Sequence, residues 1–361
     1  MIKIEEKIKC SGCSACYNVC PVNAITMEDD EEGFWYPKID PSKCVRCDKC
    51  EKVCPYINKI TAESDLQMCF AAYNKSEEER FISSSGGMFI ALAKEILQEG
   101  GVVFGAAYDE RYMVCHMAAE NEKQLIELIG SKYLQSRIGT IYQEVHAQVK
   151  LGRKVLFVGC SCQISGLISF LGQNYDNLVC VDFICLGVPS PKVWSDYLDT
   201  FFIRDKINFV NFKDKSLGWH TFSLRINSDD EEFVRNGRET HFFSGFFKAL
   251  YSRPSCSACI FKQGKRLSDI TISDCWGYRK IAPEMDDNKG LSSVVIHTEK
   301  GRQLFFRVKE QVVYKEANLE DILKYNRNYN TSAAMGEQRA EFWADYNRLS
   351  KKEVFEKWCS G

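Results

Sequence analysis

Two copies of one cysteine motif near the start of the chain constrain the fold more than any other feature. The motif CxxCxxCxxxCP begins at Cys10 and again at Cys44. Zinc sites pair CxxC half-sites and have no use for a third thiolate at the same spacing. Disulfide frameworks are typical of small secreted chains, and we find no secretory signal here. The eight cysteines of the two runs are Cys10, Cys13, Cys16, Cys20, Cys44, Cys47, Cys50 and Cys54.

A doubled run of this kind is typical of bacterial two-cluster ferredoxins. In those modules each CxxCxxC supplies three thiolates to one 4Fe-4S cluster, and the cysteine before proline ligates the other cluster. Residues 1–60 are therefore predicted to form such a module, followed by a polar linker at 56–65. One cluster is assigned to Cys10, Cys13, Cys16 and Cys54, and the other to Cys44, Cys47, Cys50 and Cys20.

Composition limits the remaining functions. The 361 residues carry 47 basic and 49 acidic side chains, so neither a nucleic-acid surface nor an acidic tail is indicated. The longest apolar runs have the length of strands, far short of a membrane span. Eighteen cysteines without an export signal indicate metal ligands in a reducing, cytoplasmic and low-oxygen setting.

From residue 66 onward the pattern alternates between helix and strand. The segments GVVFGAAYD and VCHMAAE predict paired strands, and WHTFSLRIN with EEFVRN predicts a hairpin. The predicted fold class is α+β: the ferredoxin module, a mixed α/β domain over 66–305, and a helical C-terminal segment over 306–361 whose apolar stripe docks on the core.

A second cysteine set lies in this mixed domain. KVLFVGC and LVCVDFIC are strands that end in thiols, so thiols gather at the carboxyl ends of two neighbouring strands. Each member is expected in a turn, where four sulfurs could complete a third 4Fe-4S cluster. Zinc bound by the same sulfurs and a group of unrelated buried thiols remain open. The set consists of Cys162, Cys185, Cys256 and Cys259.

A helix that follows Ser85, Gly86 and Gly87 offers free N–H groups and a partial positive charge. This suits a phosphate that approaches too closely for a Cβ atom. An ordinary helix capped by Ser83 to Ser85 also explains the same residues.

The order SSSGG, GSKYLQS, VLFVGCSCQISGL, VDFICLGVPSP, SCSACIF, SDITISDCWG and GLSSVVIHTEKG resembles the beta subunits of coenzyme F420 hydrogenases and F420H2 dehydrogenases. The likeness covers about residues 66–300. It implies an FAD-binding domain with its own 4Fe-4S cluster, and coenzyme F420 as the hydride partner. The four cysteines of the second set fall on the ligand positions of that cluster.

The same resemblance implies cofactor-binding residues beside the flavin. Without it, Lys132 is equally well explained as a surface lysine and Trp276 as a core residue. The implied residues are Ser85, Gly86, Gly87, Lys132, Tyr133, Gln135, Ser136, Asp269, Thr271, Asp274 and Trp276.

The chain departs from the family pattern at several positions. Ser161 replaces a proline, Leu186 a histidine, Ser273 a glycine and Cys275 a phenylalanine. The extra thiols Cys160 and Cys275 could replace Cys162 as a ligand. The lost histidine removes a proton donor and puts F420 itself in doubt.

The sequence therefore predicts an oxidoreductase that moves electrons between a two-electron hydride partner, through FAD, and the one-electron clusters. Expected partners are a ferredoxin or a redox enzyme complex and a small-molecule hydride donor or acceptor; a homo-oligomer is compatible with the sequence. The alternatives are a non-catalytic relay subunit, a bacterial ferredoxin-dependent reductase of a polysaccharide-pathway substrate, and a zinc-stabilised interaction domain. No catalytic residue is assigned, and among the histidines only His220 is a candidate proton donor.

Overall fold

The computed structural model describes residues 2–62, 66–229, 231–262 and 266–360. Its first part is a small unit built on the hairpin of β1 (Ile25–Asp29) and β2 (Trp35–Ile39), with the short helices α1 (Ala15–Val19) and α2 (Lys49–Lys52). The predicted strand, turn and strand between the cysteine runs are confirmed. The last three residues of the predicted linker, 63–65, lie outside the described residues.

The remaining elements alternate along the chain. The strands are β3 (Met68–Asn74), β4 (Val102–Tyr108), β5 (Val114–Ala119), β6 (Val155–Val158), β7 (Leu178–Phe183), β8 (Ile207–Asp214), β9 (Ser223–Ser228), β10 (Glu232–Asn236), β11 (Ile270–Asp274), β12 (Ser292–Ile296) and β13 (Val312–Glu316). The helices are α3 (Glu77–Ile82), α4 (Met88–Gln98), α5 (Glu122–Leu128), α6 (Ile141–Lys150), α7 (Ser161–Leu171), α8 (Pro191–Phe201), α9 (His241–Phe247), α10 (Tyr278–Ile281), α11 (Glu299–Arg307), α12 (Leu319–Tyr325), α13 (Arg339–Tyr346) and α14 (Lys351–Trp358).

The main sheet runs in the order β13-β3-β12-β11-β7-β6-β4-β5. Strands β6 and β7 are parallel neighbours, as are β4 and β6, and β7 and β11. Strand β3 points the same way, because β12 is antiparallel to both β3 and β11. The carboxyl ends of β3, β4, β6, β7 and β11 therefore share one edge, which we call the open edge.

A second sheet consists of β8, β9 and β10, in which β9 and β10 form the predicted hairpin. It packs beside an aromatic core that includes Trp194, Phe212 and Phe242, all fully buried. Burial of such a side chain contributes roughly 1.5–3 kcal/mol relative to its exposure. Lys213 is the penultimate residue of β8 and Lys215 follows the strand, so this sheet brings basic side chains to the open edge.

Helices α4 and α11 cover one face of the main sheet, and α6 and α7 cover the other. Helix α4 begins after Gly87, which is left-handed at φ +84°, so the serines at 83–85 do not cap it. The C-terminal helices pack on the aromatic core through Phe342, Tyr346 and Phe355, as their apolar stripe predicts. In the described part of the chain, the helices are too short or too polar to cross a bilayer.

Candidate functional site

Four cysteines of the ferredoxin module surround one cavity of about 350 Å³. Three come from the first run and the fourth, Cys54, comes from the second, which is the crossed arrangement that the spacing predicts. Burial raises the pKa of the Cys13 thiol to about 12, and the neighbouring thiols add to that shift. Such crowding is unfavourable for separate thiolates and suits one group that all four ligate. The cavity cysteines are Cys10, Cys13, Cys16 and Cys54.

The other four cysteines of the module line another cavity, also of about 350 Å³. This cavity lies closer to the surface, because Cys47 is exposed. The backbone of the internal repeat is visible here: Gly12 and Arg46 occupy equivalent positions and both are left-handed, at φ +67° and +52°. The cysteines of this outer cavity are Cys20, Cys44, Cys47 and Cys50.

Throughout the ranges that the structure describes, no group of three or more His, Cys, Asp or Glu side chains is arranged to hold a single metal ion. The ferredoxin thiols instead line two open cavities, four to each. Four soft thiolate donors around one cavity are the ligand set of a 4Fe-4S cluster.

The second cysteine set gathers at the open edge. Cys256 lies within the electrostatic reach of Cys185, Cys162 and Cys259, although burial is the main reason that its pKa is raised. Gly187 packs against this site: a Cβ atom there would lie 3.3 Å from the Cβ of Cys256. The structure thus brings all four predicted members together.

Two details differ from the sequence-based expectation. Cys162 lies in the first turn of α7 and not in the loop before it, because the helix begins at Ser161. Cys160 occupies that loop, and its thiol contacts both Cys162 and Cys185; the hydrogen bond from Cys160 lowers the pKa of Cys185. Cys275, the other extra thiol, is fully buried in a separate core.

The first ferredoxin cavity adjoins the second cysteine set across α7. A Cβ atom at Gly166 would approach the Sγ of Cys13 to 3.1 Å, so only glycine fits there without a shift. Gly166 follows Cys162 by four residues, which is about 6 Å along the helix axis. The two sites are therefore one helical turn apart.

The predicted glycine pair is explained by packing within the sheet. A Cβ atom at Gly86 would lie 2.5 Å from the carbonyl oxygen of Ala72. Gly87 provides the left-handed residue before α4, and Ser85 donates a hydrogen bond to the carbonyl of Leu291 at 2.9 Å. These contacts explain both glycines by packing, and the role of the three residues beside a flavin stays a prediction.

Gln135 and Ser136 are engaged by other parts of the protein. The Gln135 amide donates to the carbonyl of Ser11 in the ferredoxin module at 3.2 Å. The Ser136 hydroxyl lies 2.6 Å from Nδ1 of His116. Gln135 thus joins the main domain to the ferredoxin module, and Ser136 fixes a buried histidine.

Asp269 and Thr271 are buried within the main sheet. Asp269 precedes β11 at the opposite end and accepts a hydrogen bond from the backbone N–H of Cys180 at 2.7 Å. Thr271 lies 2.5 Å from Asp182. Asp182 also accepts hydrogen bonds from Ser161 and Arg266, so it fixes the start of α7 beside the thiols.

Lys132 and Tyr133 do reach the open edge. The Lys132 ammonium donates to the carbonyl of Ile129 at 3.0 Å and lies 5.4 Å from the centre of the Tyr108 ring. Burial lowers the pKa of Lys132 to about 7. Tyr133 is near both Asp274 and Cys185.

Asp274 and Trp276 complete this group with residues that the sequence did not single out. Asp274 accepts a close ion-paired hydrogen bond from Lys213 and another from the Trp219 indole at 2.9 Å. The rings of Trp219 and Trp276 stack at 5.2 Å, nearly parallel. Because Trp276 remains 40% exposed, one end of this stack is open to a further planar ring.

Sequence reasoning missed the buried lysines near the end of the polar strand β8. The Lys215 ammonium donates to the carbonyls of Arg80, Ser85 and Lys289, at 2.5 to 2.8 Å. Burial lowers the pKa of Lys215 to about 7. His220, the candidate proton donor, contacts Asp286 at 2.8 Å and stacks on Tyr278.

Two buried histidines predict a pH dependence of stability. Burial lowers the pKa of both His116 and His297 to about 4, against about 6.5 when unfolded. Between those values the unfolded chain binds more protons, so the free energy of unfolding should fall with falling pH, by up to about 1.4 kcal/mol per pH unit for each histidine. Replacing His116 with glutamine should roughly halve this slope in chemical denaturation, relative to wild type.

Ser136→Ala serves as the control, because it removes the partner of His116 and leaves both titrating groups. It should lower stability at every pH without changing the slope. An unchanged slope in the His116 variant would contradict the assignment.

Three family models match the chain. Residues 69–141 and 152–322 match the N-terminal and C-terminal models of the coenzyme F420 hydrogenase/dehydrogenase beta subunit. Residues 9–58 match the model described as a 4Fe-4S dicluster domain.

Curated relatives agree with these matches. The chain is 25% identical to a coenzyme F420-dependent sulfite reductase of Methanocaldococcus jannaschii over 97% of its own length, and it spans 55% of that protein. It is 21% identical to one of the subunits of the F420H2 dehydrogenase of Methanosarcina mazei, over 87% of each protein.

A solved structure shares the fold. It belongs to the F420-reducing [NiFe] hydrogenase complex of Methanosarcina barkeri, with a TM-score of 0.51 and 16% identity over 75% of this chain and 90% of that one. At this identity the likeness concerns the fold alone.

Proposed function

Because this chain belongs to the family of coenzyme F420 hydrogenase/dehydrogenase beta subunits and carries an N-terminal 4Fe-4S ferredoxin domain, we propose that it is an iron–sulfur flavoprotein oxidoreductase. It would pass electrons between a two-electron hydride partner, such as coenzyme F420, and a one-electron carrier. The observation that carries the proposal is the contact across α7, where Gly166 lets Cys13 lie one turn from the second cysteine set.

Three groups of thiols would hold three clusters. The first two are the cavity sets of the ferredoxin module, and the third is the set at the open edge with Cys160 beside it. A bound flavin accepts a hydride as two electrons and releases them singly to such clusters. The ligands proposed for the third cluster are Cys162, Cys185, Cys256 and Cys259.

The open edge supplies the groups that a flavin or deazaflavin ring requires. Trp276 presents an indole face for stacking, and the Lys213 ammonium lies 5.2 Å from the centre of that ring. Asp274 binds both Lys213 and Trp219, so it holds the ammonium and the buried indole in place beside Trp276. Lys132, with its pKa near 7, can hold a proton or an anionic ring atom beside the site.

Tyr133 lies near both this platform and the second cysteine set. Its ring packs against Phe243 at 5.1 Å, and burial raises the pKa of its hydroxyl, so the phenol stays protonated. A buried aromatic ring at this place excludes water, and a site without water limits side reactions of a reduced cofactor.

A relay subunit without its own hydride chemistry is the second candidate. Leu186 replaces the family histidine and is 38% exposed, and Trp276 and Met335 are also exposed. Apolar side chains of this kind suit an interface with a larger redox subunit. A reductase of a polysaccharide-pathway substrate has no structural feature in its favour here.

The proposal is tested with protein purified without oxygen. Flavin released by denaturation should be recovered at about one per chain. The native protein should catalyse the reduction of a viologen dye by F420H2. Flavin without oxidation of F420H2 or a nicotinamide donor would favour the relay. Absence of flavin from iron-replete protein would overturn the flavoprotein assignment.

Substitution of Trp276 tests the platform. Trp276→Ala should reduce kcat/KM for the hydride donor by about tenfold, since a lost aromatic stack costs about 0.5–1.5 kcal/mol in addition to lost buried area. Iron content should be unchanged, because in the described part of the chain the ring and cation contacts of this side chain are with Trp219 and Lys213. Phe81→Ala is the control: it removes an exposed aromatic ring from α3 and should leave kcat/KM as it is. Equal reductions of kcat/KM in both variants would refute the placement of the hydride donor beside Trp276.

A further inference from the structure

Arg253 is a buried cation without an anionic partner among the described side chains. Its side chain is almost fully buried, at 1% exposure, and no Asp or Glu within the described ranges pairs with it. Its guanidinium instead donates to the carbonyls of Cys10 and Trp35, each at 3.0 Å, and to the amide oxygen of Gln135 at 2.8 Å. An isolated buried charge is costly, so such a group normally has a counter-ion.

The nearest anionic group that the site can hold is the first ferredoxin cluster. One guanidinium nitrogen lies 3.9 Å from the Sγ of Cys10. A Cβ atom at Gly12 would lie 3.1 Å from the guanidinium carbon, so the glycine leaves room for the arginine beside the cavity. The rings of Tyr36 and Phe34 flank the same cation and exclude water from it. An unscreened positive charge therefore points at one ligand of the cavity.

The outer ferredoxin cavity lacks such a buried charge, and the open edge has a cation of its own. The cations that line the outer ferredoxin cavity, Arg46 and Lys49, are exposed, so water and salt screen them. At the open edge a different buried cation, Lys262, donates to the carbonyl of Cys185 at 2.6 Å. The backbone of Arg253 continues into the turn of Cys256, whose N–H donates to the Arg253 carbonyl at 2.9 Å. Arg253 thus stands between two sites with its charge on the ferredoxin side.

We propose that Arg253 is the counter-cation of the cluster held by Cys10, Cys13, Cys16 and Cys54. It raises the reduction potential of that cluster above the potential of the exposed one. A positive charge stabilises the reduced cluster, which carries one more negative charge, and net charge is one of the factors that set such potentials. Each transfer moves one electron and makes or breaks no bond. Electrons therefore favour the inner ferredoxin position, beside the main domain.

The inference rests on the proposed function for the clusters but not on any substrate. It is tested by redox titration, followed by electron paramagnetic resonance, of the full chain purified without oxygen. Arg253→Met should shift the midpoint potential of one cluster to a more negative value and leave the others in place. Gln135→Glu, which puts a carboxylate beside the same guanidinium, should shift the same cluster in the same direction. Failure to oxidise any hydride donor would count against the proposed function and would not affect this result.

Arg339→Met is the matched control. Arg339 also joins the main domain to the ferredoxin module, through an ion pair with Glu32, but that charge is already compensated and touches no described thiol. Because loss of Arg339 alone would leave the Glu32 carboxylate unpaired, this control also carries Glu32→Gln, and the charge-neutral double change should leave every potential unchanged. Equal shifts in Arg253→Met and in this double variant, or no shift in an iron-replete Arg253→Met, would overturn the proposal.

Loss of iron also decides the question. If Arg253→Met alone loses about four irons, the cluster needs this cation as its counter-ion, and the proposal stands. If Arg253→Met and the double variant lose iron equally, docking of the module explains the effect and the proposal fails.

Discussion

Replacing Cys54 with serine should remove about four of about twelve irons per chain and abolish the spectroscopic signal of the inner ferredoxin cluster. Cys54 belongs to the second cysteine run but lines the cavity of Cys10, Cys13 and Cys16. Loss of the cluster should lower the rate of electron transfer to an external one-electron acceptor on the order of 100-fold. Loss of a residue that only supports a metal ligand already costs about 10- to 100-fold, and Cys54 is itself a proposed ligand.

The variant also shows which cluster each cysteine serves. Because of the crossed arrangement, Cys54→Ser should resemble Cys10→Ser and differ from Cys44→Ser. Cys359→Ser is the control: that thiol is fully buried in the aromatic core, far along the chain from either run. It should keep all iron. A Cys54 variant that matches Cys44→Ser would refute the crossed assignment.

Replacing Cys259 with serine should disconnect the hydride site from the ferredoxin module. Cys259 stands with the thiols at the open edge, where its N–H donates to the hydroxyl of Ser332 at 3.0 Å. Dye reduction that needs the ferredoxin clusters should fall on the order of 100-fold, while any flavin should still be reduced by the hydride donor. Stopped-flow absorbance separates the two steps.

Two further thiols serve as comparisons. Cys160 contacts Cys162 and Cys185, whereas Cys275 is buried elsewhere. Cys275→Ser should keep full iron and activity. If Cys160→Ser loses the third cluster and Cys162→Ser does not, Cys160 is the ligand. Retention of iron and fast dye reduction in Cys259→Ser would contradict a third cluster.

Local spacing predicted the cysteine geometry of the ferredoxin module because a short repeat leaves the chain few choices. The left-handed residues Gly12 and Arg46 recur at the same place in both runs. The first three thiols of each run, at fixed spacing, therefore turn toward one cavity. The neighbouring strands β6 and β7 were likewise predictable, since a strand that ends in a turn and a helix indicates a parallel unit.

Residue type alone could not place the other proposed site residues. Gly86 also serves the packing of the sheet, since its missing Cβ makes room for the carbonyl of Ala72 on β3. Asp269 immediately precedes β11 and Asp274 ends it, so the two carboxylates lie at opposite ends of this strand. Only the paired strands decide which end reaches the open edge.

Buried charge was also invisible in the sequence. Lys213 and Arg253 are ordinary basic residues in polar stretches, and a basic side chain is normally exposed. Their burial depends on long-range packing, because Lys213 meets Asp274 of another sheet and Arg253 meets Cys10, which is 243 residues away in the sequence. No local pattern encodes such a contact.

The iron and acid-labile sulfide content of wild-type protein, purified without oxygen, tests most directly whether two ferredoxin clusters and a third cluster form one path. The account predicts about twelve irons and about twelve sulfides per chain, in three 4Fe-4S clusters. About eight of each would leave the thiols at the open edge without a cluster and contradict it.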